Sequence, residues 1–174
     1  KCQTFTPSTS HYFNWASLVL YKTGAPTFTV TLALYNVDAN HQPVGTALAS
    51  TSFVASSLTT AATWREYIFP VGYDLSAGTE YALVVSGNGG DTVNRVLVRV
   101  DTTGSYGAGL RGSSTDGGTT WEMLSDDDMA FKEGQYNLYE TFTSANAAID
   151  IYGPYSGYQT FTVSRSHYFD YIYL

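Results

Sequence analysis

"TFTVTLALYNV", from Thr27 to Val37, decides the fold. Phe28, Val30, Leu32 and Leu34 fall on alternate positions, so one face of the segment is continuously apolar. A two-residue period is that of a strand lying on a core, whereas a helix needs recurrence every three to four residues. The pattern returns in "TWREYIFPV" (Thr63 to Val71), "EYALVVS" (Glu80 to Ser86) and "RVLVRV" (Arg95 to Val100). Turn chemistry separates these runs: "TGAP" at Thr23, "DANHQPVG" at Asp38, "SAGT" at Ser76, "SGNGGD" at Ser86 and "STDGGTT" at Ser114. Short strands punctuated in this way predict an all-β, antiparallel two-sheet sandwich. No segment carries helical periodicity, and "SSLTTAA" from Ser56 offers at most a single turn.

Outward from that strand, the two ends of the chain repeat each other. "QTFTPSTSHYFNWASL" begins at Gln3, and "QTFTVSRSHYFDYIYL" begins at Gln159. At this constant offset, Gln3/Gln159, Thr4/Thr160, Phe5/Phe161, Thr6/Thr162, Ser8/Ser164, Ser10/Ser166, His11/His167, Tyr12/Tyr168, Phe13/Phe169 and Leu18/Leu174 are identical. Between the copies, the pattern loosens after Phe142 into "TSANAAIDIYGPYSGY", whose small residues and Gly-Pro read as a linker. The expected organisation is a sandwich domain over 1–143, a linker over 144–158, and over 159–174 a repeat of the N-terminal strand, serving as a donor strand or as the start of a further tandem unit.

Composition narrows the partners. The chain has 174 residues, a net charge of −7, only 13% charged residues and 16% aromatics. Nucleic-acid binding needs clustered Lys and Arg, and Lys22, Arg65, Arg95, Arg99, Arg111, Lys132 and Arg165 are scattered. No apolar run reaches the length of a membrane span, so membrane insertion is not expected. The Thr/Tyr-rich acidic surface points to an extracellular or cell-surface location, and the lack of an initiating Met to a mature product or one stretch of something longer. Cys2 is the one cysteine, which rules out an internal disulfide; it is read as an inert thiol rather than an interchain link.

"QTFTPSTSHYF", "TFTVTLALYN", "DLSAGTEYALVVS" and "STDGGTTW…DMAF" together resemble the jelly-roll-like sandwich modules of secreted and cell-surface repeat proteins, such as choice-of-anchor and carbohydrate-binding-module-like domains. The resemblance covers roughly residues 3 to 135. It implies the module type and carries no catalytic constellation. "STDGGTTW" also matches the Asp-box pattern through Ser114, Asp116, Gly118, Thr120 and Trp121. In sialidase propellers that box stabilises a hairpin and is not the active site. A propeller needs at least four blades with repeated boxes, and one box in this length excludes it.

A search for chemistry yields little. Asp126, Asp127, Asp128, Glu122 and Asp116 are the acidic candidates for a glycosidase pair, and they read as a solvated loop. The same oxygens would suit a structural Ca²⁺, although the spacing of a calcium loop is missing; no other cofactor is expected. His11 and His167 are repeat equivalents and His41 stands apart, so no zinc set forms. No nucleophile elbow is present, and no enzyme activity is expected. Sugar stacking would use Trp15, Trp64, Trp121, Tyr106, Tyr136, Tyr139, Tyr152 or Tyr155, with Trp64 and Trp121 expected in the core and the Tyr106 and Tyr152–Tyr155 stretches exposed.

The leading expectation is therefore an extracellular structural subunit whose partners are copies of itself. It would build a filament, tubule or surface layer head-to-tail, by strand exchange or tandem repeats, using Gln159, Phe161, Val163, His167, Phe169, Ile172 and Leu174. Burying four apolar side chains of that segment stabilises by about 6–12 kcal/mol, against an association cost on the order of 4–15 kcal/mol. Covalent continuity or lateral contacts would make such a joint secure. The alternatives are a carbohydrate-binding or adhesin module of a larger secreted or phage-tail protein and, third, an accessory domain of a glycosidase.

Overall fold

The computed structural model describes residues 1–136, and these form an antiparallel β-sandwich. The larger sheet contains β1 (Cys2–Phe5), β3 (Thr29–Val37), β4 (Pro43–Val54), β6 (Tyr81–Gly87), β9 (Arg111–Ser113) and β10 (Glu122–Leu124), in the order β10-β9-β1-β6-β3-β4. The smaller sheet is centred on β2 (His11–Thr23). Along one side of it runs β5 (Thr63–Leu75); along the other, β12 (Phe131–Gly134) and β7 (Arg95–Val98) lie end to end. A short ribbon of β8 (Val100–Asp101) with β11 (Asp128–Met129) continues that second side. The chain passes repeatedly from one sheet to the other. Among the described residues the only helical turn is a 3-10 turn at Ala55–Ser57, one residue ahead of the stretch expected to form one.

The alternation of Thr27–Val37 is realised in β3, where Val30, Leu32 and Leu34 are buried. Leu32 and Leu34 meet Phe13, Ala16, Leu18 and Leu20 of β2 in one core, to which Phe5, Phe69, Leu75, Tyr81 and Leu83 also belong. A second, smaller cluster lies on the opposite face of the larger sheet. There Cys2, Ala82 and Val84 are covered by Trp121 and Met123. "RVLVRV" is divided: the ladder of β7 ends at Val98, and Arg99 instead donates its N–H to the Val19 carbonyl at 2.9 Å.

Candidate self-assembly site

The N-terminal copy of the repeat provides β1 and most of β2, each flanked by neighbours on both sides. Residues 3–18 thus fill the middle of both sheets in their own sandwich, and no slot stands open for them among the described residues. Gln159, Phe161, Val163, His167, Phe169, Ile172 and Leu174, expected from the sequence to serve assembly, lie outside the described residues. Their counterparts Gln3, Phe5, Pro7, His11, Phe13, Ala16 and Leu18 lie within them.

Eight of the ten identical residues hold a partner in the body of the sandwich through their side chains. Gln3, fully buried, donates from Nε2 to Asp128 Oδ1 at 3.0 Å and accepts the Met129 N–H on Oε1 at 2.6 Å. The other Asp128 oxygen accepts the Tyr106 N–H at 2.9 Å. Thr4 Oγ1 accepts the Leu110 N–H at 2.7 Å. Phe5 packs its ring 5.7 Å from that of Phe131 and 6.2 Å from that of Tyr81. Ser10 Oγ accepts from Ala77, and Tyr12 Oη from Gly72, at 2.9 and 3.1 Å. Phe13 lies 4.7 Å from Phe69 by ring centroid, and Leu18 is fully buried in the core.

His11 is the eighth. Its Nε2 sits 2.7 Å from Glu133 Oε2 and its Nδ1 3.0 Å from the Thr9 carbonyl. With an acceptor at each ring nitrogen, only the doubly protonated ring satisfies both. Burial pulls the pKa of His11 down, but the hydrogen bonds to Glu133 and Thr9 and the charge of Glu133 outweigh it, and the net shift is upward. A raised folded-state pKa contributes stability that is complete below the unfolded value of 6.5 and is lost as pH rises through the folded value. The unfolding midpoint is therefore expected to fall more between about pH 6 and 8 in the wild type than in His11→Gln. Parallel profiles would contradict it.

Three positions where the copies differ are equally well packed. Cys2, 0% exposed, points at Gly112, on which a Cβ would overlap the Cys2 sulfur. Burial pushes its thiol up to about 12, so it stays protonated near neutral pH. Ala16, 0% exposed, lies in the core in register with Tyr67 and Glu133. Ser17 faces the other way, between Glu66 and Lys132. The Lys132 ammonium lies 4.5 Å from the Trp64 ring centroid. Because β12 and β5 flank β2, that cation–π contact bridges across β2 and roofs Ser17, which is 2% exposed.

The box residues form a self-contained loop between β9 and β10. Ser114 Oγ donates to Asp116 Oδ1 at 2.8 Å and accepts the Gly118 N–H at 2.8 Å. Asp116 accepts from the amides of Thr119 and Thr120 and, at 2.6 Å, from the Thr120 hydroxyl. Gly118 has φ +91° and Trp121 donates its indole N–H back to the Gly118 carbonyl. These bonds, led by that of the Thr120 hydroxyl, hold the Asp116 carboxyl well below the usual range. Asp116→Ala is expected to raise amide exchange at Thr119 and Thr120 by at least about tenfold while the core stays protected, checked by NMR hydrogen exchange.

The remaining candidates disperse. Asp127 pairs with Arg111, Asp128 with Gln3, and Asp126 accepts from Ser125. Among the described residues no three His, Cys, Asp or Glu side chains are placed to share a metal ion. A cleft of about 490 Å³ at one end of the sandwich is lined by Leu20, Phe28, Val85 and Val98, and its one carboxylate, Asp91, accepts from the Val93 and Asn94 amides. Trp64, expected in the core, is 46% exposed: the inner positions of β5 are taken by Arg65 and Tyr67, which turns Trp64 outward beside Ile68. Tyr106, expected exposed, stands edge-on to Phe131 at 5.2 Å. Tyr139, Tyr152 and Tyr155 lie outside the described residues. Nothing local in the sequence marks Asp128, Glu133, Gly72 and Ala77 as partners of the opening strands; Asp128 stands out only as one of an acidic run. No protein-family model matches the chain, and no curated protein matches it.

Proposed function

We propose that the chain is a unit of an extracellular structural protein that assembles head-to-tail into a filament, tubule or surface layer. One observation carries the reading. The residues shared by the two copies are those that bind the opening strands into a sandwich, from Gln3 to Leu18. A segment with no such task would have no reason to keep a buried glutamine, a paired histidine and two core phenylalanines. Gln159 to Leu174 therefore carry what β1 and β2 of another sandwich require. Of the two routes, repetition along the chain needs no displacement, whereas exchange must first expel a neighbour's own central strands. The resemblance to modules of secreted repeat proteins agrees with the array.

Electron microscopy of the native protein tests this, with linear assemblies of evenly spaced units as the expected result. Phe161→Asp with Phe169→Asp should break the even spacing at the unit that Gln159–Leu174 open and leave the first sandwich folded. Unchanged assemblies would refute the proposal. A second reading, a carbohydrate-binding or adhesin module, draws on the exposed Trp64 and Ile68 of β5. It requires glycan retention that Trp64→Ala removes.

A further inference from the structure

Neighbouring modules with near-identical opening strands face a hazard: the strand of one competes for the slot of the next, and domain swapping follows. The differences between the two copies bear on this directly. At the common offset Cys2 is matched by Tyr158, Ala16 by Ile172 and Ser17 by Tyr173. All three positions are 2% exposed or less in the first sandwich, and all three counterparts are larger.

We propose that these three positions key each opening strand to its own sandwich, so that the slot of this one accepts residues 2–18 and rejects residues 158–174 of another copy. The inference rests on the array reading above, and it adds that successive units are matched rather than interchangeable. Each mismatch has its own obstacle. A tyrosine in place of Cys2 would run into Gly112 and Met123, where not even a Cβ on Gly112 is accommodated. Isoleucine in place of Ala16 would overfill a row already occupied by Tyr67 and Glu133, and the Tyr67 ring is fixed by stacking on Phe53 at 4.5 Å. Tyrosine in place of Ser17 would have to break through the Lys132–Trp64 bridge on the outer face. Two obstacles lie on the faces of β2 and the third behind β1, so no tilt of a single strand relieves all of them. The matched residues bring a foreign strand into register, and the mismatched ones make it lose to the resident strand, which has covalent attachment in its favour.

The test is thermal unfolding of the full chain carrying the closing copy's residues in the opening strand. Cys2→Tyr and Ala16→Ile, each alone, are expected to lower the midpoint of the first sandwich by about 5–15 °C. Thr9→Arg, a difference between the copies at an exposed position, should leave it within about 2 °C. Ser17→Tyr should also lower it, and Lys132→Ala in the same chain should recover most of that loss because the roof is gone; this pairing separates keying from general fragility. Cys2→Tyr and Ala16→Ile midpoints no lower than that of Thr9→Arg, or a Ser17→Tyr loss untouched by Lys132→Ala, would overturn the proposal. These readouts concern one sandwich alone, so their failure leaves the array reading to be judged separately, by microscopy.

Discussion

Gln3→Ala is expected to destabilise the sandwich by about 3–5 kcal/mol, among the largest effects of any single change away from the aromatic core. The glutamine side chain is fully enclosed and serves both Asp128 and the Met129 amide, tying β1 of the larger sheet to β11. Alanine leaves a buried N–H and a buried carboxyl oxygen short of a partner, at about 1–3 kcal/mol each, and opens a cavity as well. Gln3→Met separates the contributions, since methionine restores most of the volume and none of the hydrogen bonds. Urea unfolding should place Gln3→Met within about 1 kcal/mol of Gln3→Ala. A Gln3→Met chain as stable as the wild type would mean that the polar network contributes nothing, and that its recurrence at Gln159 has another cause.

Phe13→Ala is expected to cost about 3–5 kcal/mol. The ring sits in the central strand of the smaller sheet, fully buried and 4.7 Å from Phe69. Leu32 and Leu34 of β3 and Leu83 of β6 share its core cluster, and both strands are central in the larger sheet, which limits collapse into the space. Phe13→Leu, which keeps much of the volume, should cost about 1–2 kcal/mol. Equal losses for the two variants in denaturant unfolding would point to a site that relaxes freely, contrary to the packing described.

The pleat of Thr27–Val37 was legible because Val30, Leu32 and Leu34 write the period of the core face into the sequence, and they are buried; Phe28, on the same period, falls just before β3 and is only partly buried, and the small Ala33 on the other face is buried as well. Period alone does not say which face is inward. In Thr63–Val71 both faces carry bulky side chains, and the choice fell on the Arg65 and Tyr67 side because Tyr67 stacks on Phe53 of β4 and Arg65 donates to the Ser57 carbonyl. Trp64 was left outside, where Lys132 covers it. Ala82 and Val84 show another limit: both lie on the far face of the larger sheet, and the cover over them comes from Trp121 and Met123 some forty residues on. The repeat was plain from identity alone, but its meaning was not. Asp128 looked like one of three loop carboxylates, and nothing local indicates that Gln3, 125 positions away, completes it. Glu133 lies 122 positions from His11 in sequence and 2.7 Å from it in space.

High-resolution electron microscopy of the native assembly puts the central claim to its most direct trial. The account expects Gln159–Leu174 to be found as the two opening strands of an adjoining sandwich, with Gln159 bonded to the residue standing where Asp128 stands here and His167 to the equivalent of Glu133. If that segment were instead seen in solvent, or packed as some other element touching no second sandwich, the account would be wrong.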